Sequence, residues 1–384
     1  MKAYVNVNAW TGEQYIERAT ILVDHGEIKE VGTNVTIPSD ATRIDLNGKF
    51  VTPGLIDVHT HLGVHTEGIG SDGHDFNETS EISTPYIRSI DGLNPQDNGF
   101  AEARKHGVTT VQVLPGSANV IGGEITAVKT AGIIADQMVI KSPSGMKAAL
   151  GENPKRIHGS KGRSAVTRMG VAGTLRKELM RAQDYNKAVQ DGAIATRDLG
   201  LEQLSKVIRR EIPLRVHAHR ADDIATIIRV KKEFNIDVTI EHCTEGHLIP
   251  DYLKDHLVPI AVGPTMSAKS KQETANKAWE TMVEFEKRGI PFAITTDHPV
   301  VTIDHLLTTV KTAINYGVTE ETALKAITSQ AAAHIGLGEK VGSIKPGMDA
   351  DLVIWSEQPF SLLAKVEETM ISGETVYQRS STSV

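Results

Sequence analysis

The chain of 384 residues contains a single cysteine, Cys243, so an intrachain disulfide is excluded and a reducing compartment is expected. No Lys/Arg-rich run stands out, and with 41 basic against 48 acidic residues the formal net charge is −7, so nucleic acid is not an expected partner. No stretch of about 18 apolar residues exists to span a membrane. The opening MKAYVNVNAWTGEQ lacks the apolar core of a signal peptide. These absences leave a cytoplasmic protein without a membrane partner as the expectation. The length accommodates one barrel plus a satellite domain.

The most informative stretch is residues 51–63, VTPGLIDVHTHLG. Val51, Leu55, Ile56 and Val58 are strand formers, and Pro53-Gly54 bends the chain just before the last three. Residues i and i+2 of an extended segment share a face, so His59 and His61 project together and can share a divalent metal. A bare His-x-His reads equally well as two ordinary histidines, but the rest of the chain repeats the pattern. Residues 212–218 (IPLRVHA) deliver His217, with His219 two residues on; 236–242 (IDVTIEH) deliver His242; 291–297 (PFAITTD) deliver Asp297. Each is a short strand rich in Val, Ile and Thr behind a polar, helix-like segment, the signature of βα units and a parallel sheet. In a closed βα barrel, catalytic groups collect at the C-terminal ends of the strands.

The two ends of the chain read differently. Residues 3–7, 19–23 and 27–31 are short strand patterns, the last two joined through Asp24-His25-Gly26; residues 351–355, 369–372 and 375–377 are three more, the last pair joined by Gly373-Glu374. Strand pairs at both termini point to one small β-sandwich built from residues 1–52 and 340–384, around a barrel of residues 53–339.

Six motifs carry a family resemblance: PGLIDVHTH (53–61), GVTTV (107–111), VHAH (216–219), EHC (241–243), TTDHP (295–299) and GSIKPGMDADLVIW (342–355). Through them the chain resembles the amidohydrolase superfamily of metal-dependent hydrolases, on its imidazolonepropionase and Xaa-Pro dipeptidase side, over nearly its whole length. The resemblance implies an α/β fold, a (β/α)8 TIM barrel braced by a composite β-sandwich from both chain ends. It also implies one or two divalent metals per chain, zinc first, with Mn, Fe, Co or Ni as alternatives. His59 and His61 would hold the more buried ion with Asp297, while His217 and His242 complete a one-metal site or hold a second ion. His217 matches the family's strand-five ligand; His219 is the fallback, and substrate contact is an equal reading for it. Asp297 and His242 are the catalytic candidates. Asp297 would act as general base, moving a proton from metal-bound water to the leaving amine; the plainer reading is a helix N-cap.

Strand four decides the metal count. Residues 138–144 read MVIKSPS, and Lys141 falls where dipeptidase-like relatives carry a carboxylated lysine that bridges two metals. Glu152, in LGENPK, is the alternative oxygen ligand, and a third reading uses neither residue with one metal. The continuation SPSGMKAALGEN departs from the small, glycine-rich sequence that follows the lysine in dipeptidases.

Specificity is expected in the loops. Residues 63–97 are too long for a plain connection, and His65, His74, Asn77, Glu78 and Arg88 are its candidate substrate contacts, His65 and Arg88 foremost with His219. The glycine-rich 114–124 offers backbone amides to a carboxylate. Lys155, Arg156, Lys161 and Arg163, and separately Lys269 and Lys271, would attract an anionic substrate or form solvated surface. Residues 168–190 read as an amphipathic helix, and 320–335 as the last barrel helix with Ala323, Ala326, Ile327 and Ala331 in the core.

Three functions compete. The first is hydrolysis of a C–N bond in a small amide or cyclic amide. The second is ring deamination, whose family members place a glutamate shortly after the strand-five histidine; here Ala218, His219, Arg220 and Ala221 follow His217. The third is a metal-free scaffold, against which stands the joint presence of His59, His61, His217, His242 and Asp297. The expected partner is a small-molecule substrate, with a homo-oligomer expected from family habit.

Overall fold

The computed structural model describes residues 1–162, 165–193 and 196–380, so Arg163 of the basic cluster lies outside the described residues. Five strands open the chain: β1 (Lys2–Trp10), β2 (Tyr15–Asp24), β3 (Glu27–Gly32), β4 (Thr42–Asp45) and β5 (Phe50–Pro53). Eight follow in the central region: β6 (Leu55–Thr60), β7 (Val108–Val113), β8 (Ile121–Lys129), β9 (Val139–Ala149), β10 (Leu214–Ala218), β11 (Val238–His242), β12 (Ala261–Val262) and β13 (Ala293–Ile294). Three close the chain: β14 (Leu352–Trp355), β15 (Val366–Ile371) and β16 (Glu374–Gln378).

Both ends of the chain enter one sheet of order β16-β15-β14-β5-β1-β2-β3, with β4 paired beside β1. The joint is the antiparallel pair β5–β14, where the Trp355 indole N–H also donates to Thr52 Oγ1 at 3.0 Å. Val7, Ile21, Ile28, Leu352, Ile354 and Met370 form one buried apolar cluster against this sheet. The β2–β3 hairpin turns through His25 (φ 49°) and Gly26 (φ 80°). Two successive left-handed residues make the twist that a two-residue hairpin requires.

The central strands run β6-β7-β8-β9-β10-β11 in one sheet and β12-β13 in another. Ile240 bridges to Ile260 between β11 and β12, and past β13 the Thr295 hydroxyl donates to His59 O at 2.8 Å, which closes the ring onto β6. Strands β6, β7, β8, β10 and β11 are buried at every position, as strands covered on both faces should be. Gly54 stands where β6 meets β7; a Cβ there would fall 2.0 Å from Thr109 Oγ1.

The ring departs from an all-parallel (β/α)8 barrel at one strand. β8 is antiparallel to both β7 and β9. Only residues 114–120 separate β7 from β8, too few for the dozen or more that a parallel crossover needs. The glycine-rich segment read as a binding loop is therefore largely a hairpin connection and the start of β8.

Helices cover the outside. Arg168–Gln190 starts at Thr167, whose side chain accepts from Gly170 N–H, and Leu199–Ile208 starts at Asp198, which accepts from Leu201 N–H. Ala221–Phe234 buries Ile224, Ile227 and Ile228 on one stripe. The expected last helix is two pieces, Glu320–Lys325 and Ser329–His334, broken at Thr328 (φ −131°, ψ −100°). Ala323, Ala326, Ile327 and Ala331 are buried nonetheless. Buried Lys129, at the end of β8, pairs with Asp349 at 2.9 Å and with Asp351, tying the barrel to the terminal sheet. Among the described residues no helix is long and apolar enough to cross a membrane.

Candidate metal centre

His59 on β6, His217 on β10 and His242 at the end of β11 meet at one end of the ring, with His61, His219 and Asp297 just past their strands. They form two groups whose ligand atoms all lie within 4.8 Å of one another: His59, His61 and Asp297, and His217, His219 and His242. The groups adjoin, with the His59 and His242 ring centroids 4.6 Å apart.

Four of the five imidazoles are anchored through Nδ1. His61 Nδ1 meets Leu114 O and His242 Nδ1 meets Gly263 O, both at 2.8 Å. A carbonyl only accepts, so these Nδ1 atoms carry the proton and the Nε2 atoms keep their lone pairs. His219 Nδ1 engages Thr244 Oγ1 at 2.7 Å, and His59 Nδ1 engages Glu241 Oε2 at 3.2 Å. This is how outer partners aim metal-binding imidazoles. Burial pushes His59 and His219 down to about 4 and holds His217 and His242 well below the usual imidazole range. All four are thus neutral near pH 7, the form that ligates.

Asp297 Oδ1 stands 3.4 Å from His61 Nε2 and 3.6 Å from His59 Nε2. With His61 protonated on Nδ1, that approach brings two acceptors together and is not a hydrogen bond. Burial pushes the Asp297 carboxyl up, but the surrounding imidazoles, His242 foremost, outweigh it once they take up protons in acid, so the carboxyl titrates well below the usual carboxylate range. Asp297 Oδ1 and His217 Nε2 are both buried without a hydrogen-bond partner. Facing lone pairs and orphaned buried acceptors are what a cation reconciles, so the donor set fits a divalent metal. His242 (φ 74°) and Asp297 (φ 54°) both hold left-handed backbone. Such conformations cost about 1–3 kcal/mol each and concentrate at functional sites.

Lysine enters this centre at Lys147, not Lys141. Lys147 is fully buried on β9, with Nζ 3.0 Å from His59 Nε2, and burial pushes its ammonium down to about 8. Lys141 lies six residues earlier on the same strand, a displacement of about 20 Å at strand rise, where Nζ donates to Gly336 O at 3.2 Å. The bridging role assigned to Lys141 is therefore corrected.

Glu152 belongs to neither metal group. It opens the helix Glu152–Gly159 and exchanges backbone-to-carboxylate hydrogen bonds with Glu273, at 2.8 and 3.4 Å. Arg88 is exposed and forked onto Asp91 at 2.9 and 2.8 Å, away from the site, because its own short helix supplies the acid. Glu78 caps Ser80 N–H and Lys161 bonds Thr79. A cavity of about 390 Å³ opens beside the metal groups. His61, His217, His219 and Asp297 line it; from the expected specificity residues His65, Asn77, Arg156 and Lys271 reach it, whereas Lys155 and Lys269 do not. His65 stacks on His74 at 4.2 Å.

Three residues of the centre are not among those the sequence singles out: Lys147, Glu241 and Glu273. Glu241, the neighbour of His242 in the EHC motif, is fully buried and joins His59 to His334 Nε2 (3.1 Å) and Arg215 Nη1 (3.5 Å). Its alternation with His242 on a short strand was the available signal. Glu273 carried none.

The amidohydrolase family matches residues 50–376, most of the chain. The chain belongs to the amidohydrolase family. It is 29% identical to amidohydrolase tasK of Hapsidospora irregularis, an alignment covering 92% of this chain and 39% of that longer protein. It is 23% identical to imidazolonepropionase of Paracoccus denitrificans (strain Pd 1222), over 90% of this chain and 89% of that one. The crystal structure of an amidohydrolase from Thermotoga maritima MSB8 superposes with a TM-score of 0.95 at 39% identity, covering 99% of this chain and 100% of the other. Membership of this family supports a hydrolase acting on C–N bonds.

Proposed function

We propose that the protein is a metal-dependent hydrolase that cleaves an amide or cyclic-amide C–N bond of a small molecule. The observation that carries the reading is the pair of buried, unpartnered acceptors, Asp297 Oδ1 and His217 Nε2, set among neutral imidazoles at the strand ends. His59, His61 and Asp297 would hold one ion, and His217 and His242 a second. Lys147, beside His59, would offer an oxygen ligand as a carbamate, formed when its unprotonated amine adds carbon dioxide and releases a proton; a buried amine pushed down to about 8 suits that chemistry. When bound, a divalent cation, zinc first among the candidates, supplies Lewis acidity that lowers the pKa of water and polarises a carbonyl.

Asp297 then moves the proton. Its carboxylate accepts it from the attacking water and returns it to the nitrogen as the C–N bond breaks. The anchored Nδ1 atoms of His61 and His242 hold the rings still while this happens. A cavity of about 390 Å³ suits a small substrate. The terminal unit (1–52 with 340–384), read as a β-sandwich, would brace the barrel (53–339) and supply no catalytic group.

The test is to strip the protein with a chelator, reload it with zinc, manganese or cobalt, and assay dipeptides, N-acyl amino acids and cyclic amides. Turnover confined to the loaded protein, with an amine as product, is expected. Equal turnover by stripped and loaded protein would contradict the reading, as would failure to retain any ion after reloading.

A further inference from the structure

Glu273 lies in the short turn Gln272–Thr274, within the polar segment SAKSKQETANK that follows β12, yet it is 1% exposed. Its two oxygens have different surroundings. Oε2 accepts the Glu152 N–H at 2.8 Å and packs on Gly151, where a Cβ would come within 2.6 Å. Oε1 has no hydrogen-bond partner. It stands 3.7 Å from His217 Nε2 and 3.8 Å from both His219 Nε2 and Lys271 Nζ. None of these is a hydrogen bond.

A carboxylate oxygen buried without a donor is unfavourable. Here it faces His217 Nε2, itself buried and unpartnered. Lys271, 30% exposed at the cavity, stays beyond hydrogen-bonding reach. Donor atoms around a tetrahedral ion with bonds of 2.0–2.2 Å lie about 3.3–3.6 Å apart. The spacings of 3.7 and 3.8 Å are within a few tenths of an ångström of that. Pinning Oε2 to the backbone also fixes the direction of Oε1, as partners outside the ligand shell commonly do.

We propose that Glu273, outside the three-histidine group as it stands but within 3.8 Å of two of its imidazoles, is a ligand of the second cation and completes with His217, His219 and His242 a set of three imidazoles and one carboxylate. The inference rests on the metal-dependent reading above. It makes His219 a ligand instead of a substrate contact, and it adds a ligand from the segment after β12. Such an N₃O set takes a divalent transition metal, zinc or cobalt foremost.

The experiment compares the parent, Glu273→Gln and His219→Asn. Each is equilibrated with zinc, dialysed and analysed for metal, then stripped and titrated with cobalt while its visible absorption is followed. Gln keeps the shape and the acceptor for the Glu152 N–H but removes the charge. The parent is expected to hold two ions per chain and each variant one, with the second cobalt equivalent bound at least about tenfold more weakly. The ion kept at His59, His61 and Asp297 reports an intact fold. Two ions held by Glu273→Gln with parental affinity would overturn the proposal, as would loss confined to His219→Asn. A parent with one ion, unchanged in Glu273→Gln, would overturn this inference alone; a parent with none would overturn the metal-dependent reading itself.

Discussion

Lys141 and Lys147 occupy one strand, six residues apart, in opposite surroundings. Lys141 is half-buried, with its ammonium on a backbone carbonyl beside the helix Ser329–His334. Lys147 is sealed among imidazoles, with its ammonium pushed down by burial. The difference is one of position along β9. A strand of this ring carries chemistry only at its C-terminal end, and β9 runs for 11 residues, through Pro143 and Gly145, before it reaches that end. Those two residues read as breakers. Gly145 has a packing reason instead: a Cβ there would lie 2.8 Å from Nε of Arg215, a fully buried side chain.

The contrast can be broken or sharpened by substitution. At the Lys147 end the largest effect is expected from Lys147→Met, which should abolish turnover in an assay with metal supplied in excess; parental turnover would remove Lys147 from the machinery. Asp297→Asn should lower turnover by on the order of 10²–10⁴, the range for a general base, while most of the metal is kept. Rates equal to the parent would end that assignment. Glu241→Gln loosens the aim of His59 and should weaken the first ion by about 10–100-fold, read by competition with a chelator; unchanged affinity would make Glu241 purely structural.

The smallest effect is on stability against pH. Burial holds His59, His219 and His298 near about 4, against 6.5 for a free imidazole. Between those values the unfolded chain binds protons that the native chain does not, so stability rises with pH from 4 to 6.5 and is lost as pH falls through that window. Asp57, raised by burial from 3.8 to about 6, acts in the opposite sense as one group against three. Thermal melts of metal-free protein should therefore show Tm climbing between pH 4.5 and 6.5 and levelling above. A flat or falling profile would contradict these environments.

Much of the arrangement was legible because period-2 strands place i and i+2 on one face. That rule located His59 with His61 and His217 with His219, and the terminal strands paired as their turns suggested. Strand direction was not legible, because the composition of a strand buried along its whole length is the same read either way; only the short span of 114–120 betrays the reversal of β8. Arg88 misled because loop charges pair with neighbours, here Asp91, that periodicity does not weigh. Glu273 was invisible because its burial comes from contact with Gly151 and Glu152, 121 residues away in the latter case.

The proposed cation site at the C-terminal strand ends depends on Lys147 and is indifferent to Lys141. Elemental analysis of zinc-reloaded parent, Lys147→Met and Lys141→Met tests it most directly. Two ions per chain are expected in the parent and in Lys141→Met, and at most one in Lys147→Met. Equal metal content in parent and Lys147→Met, or a loss confined to Lys141→Met, would contradict it.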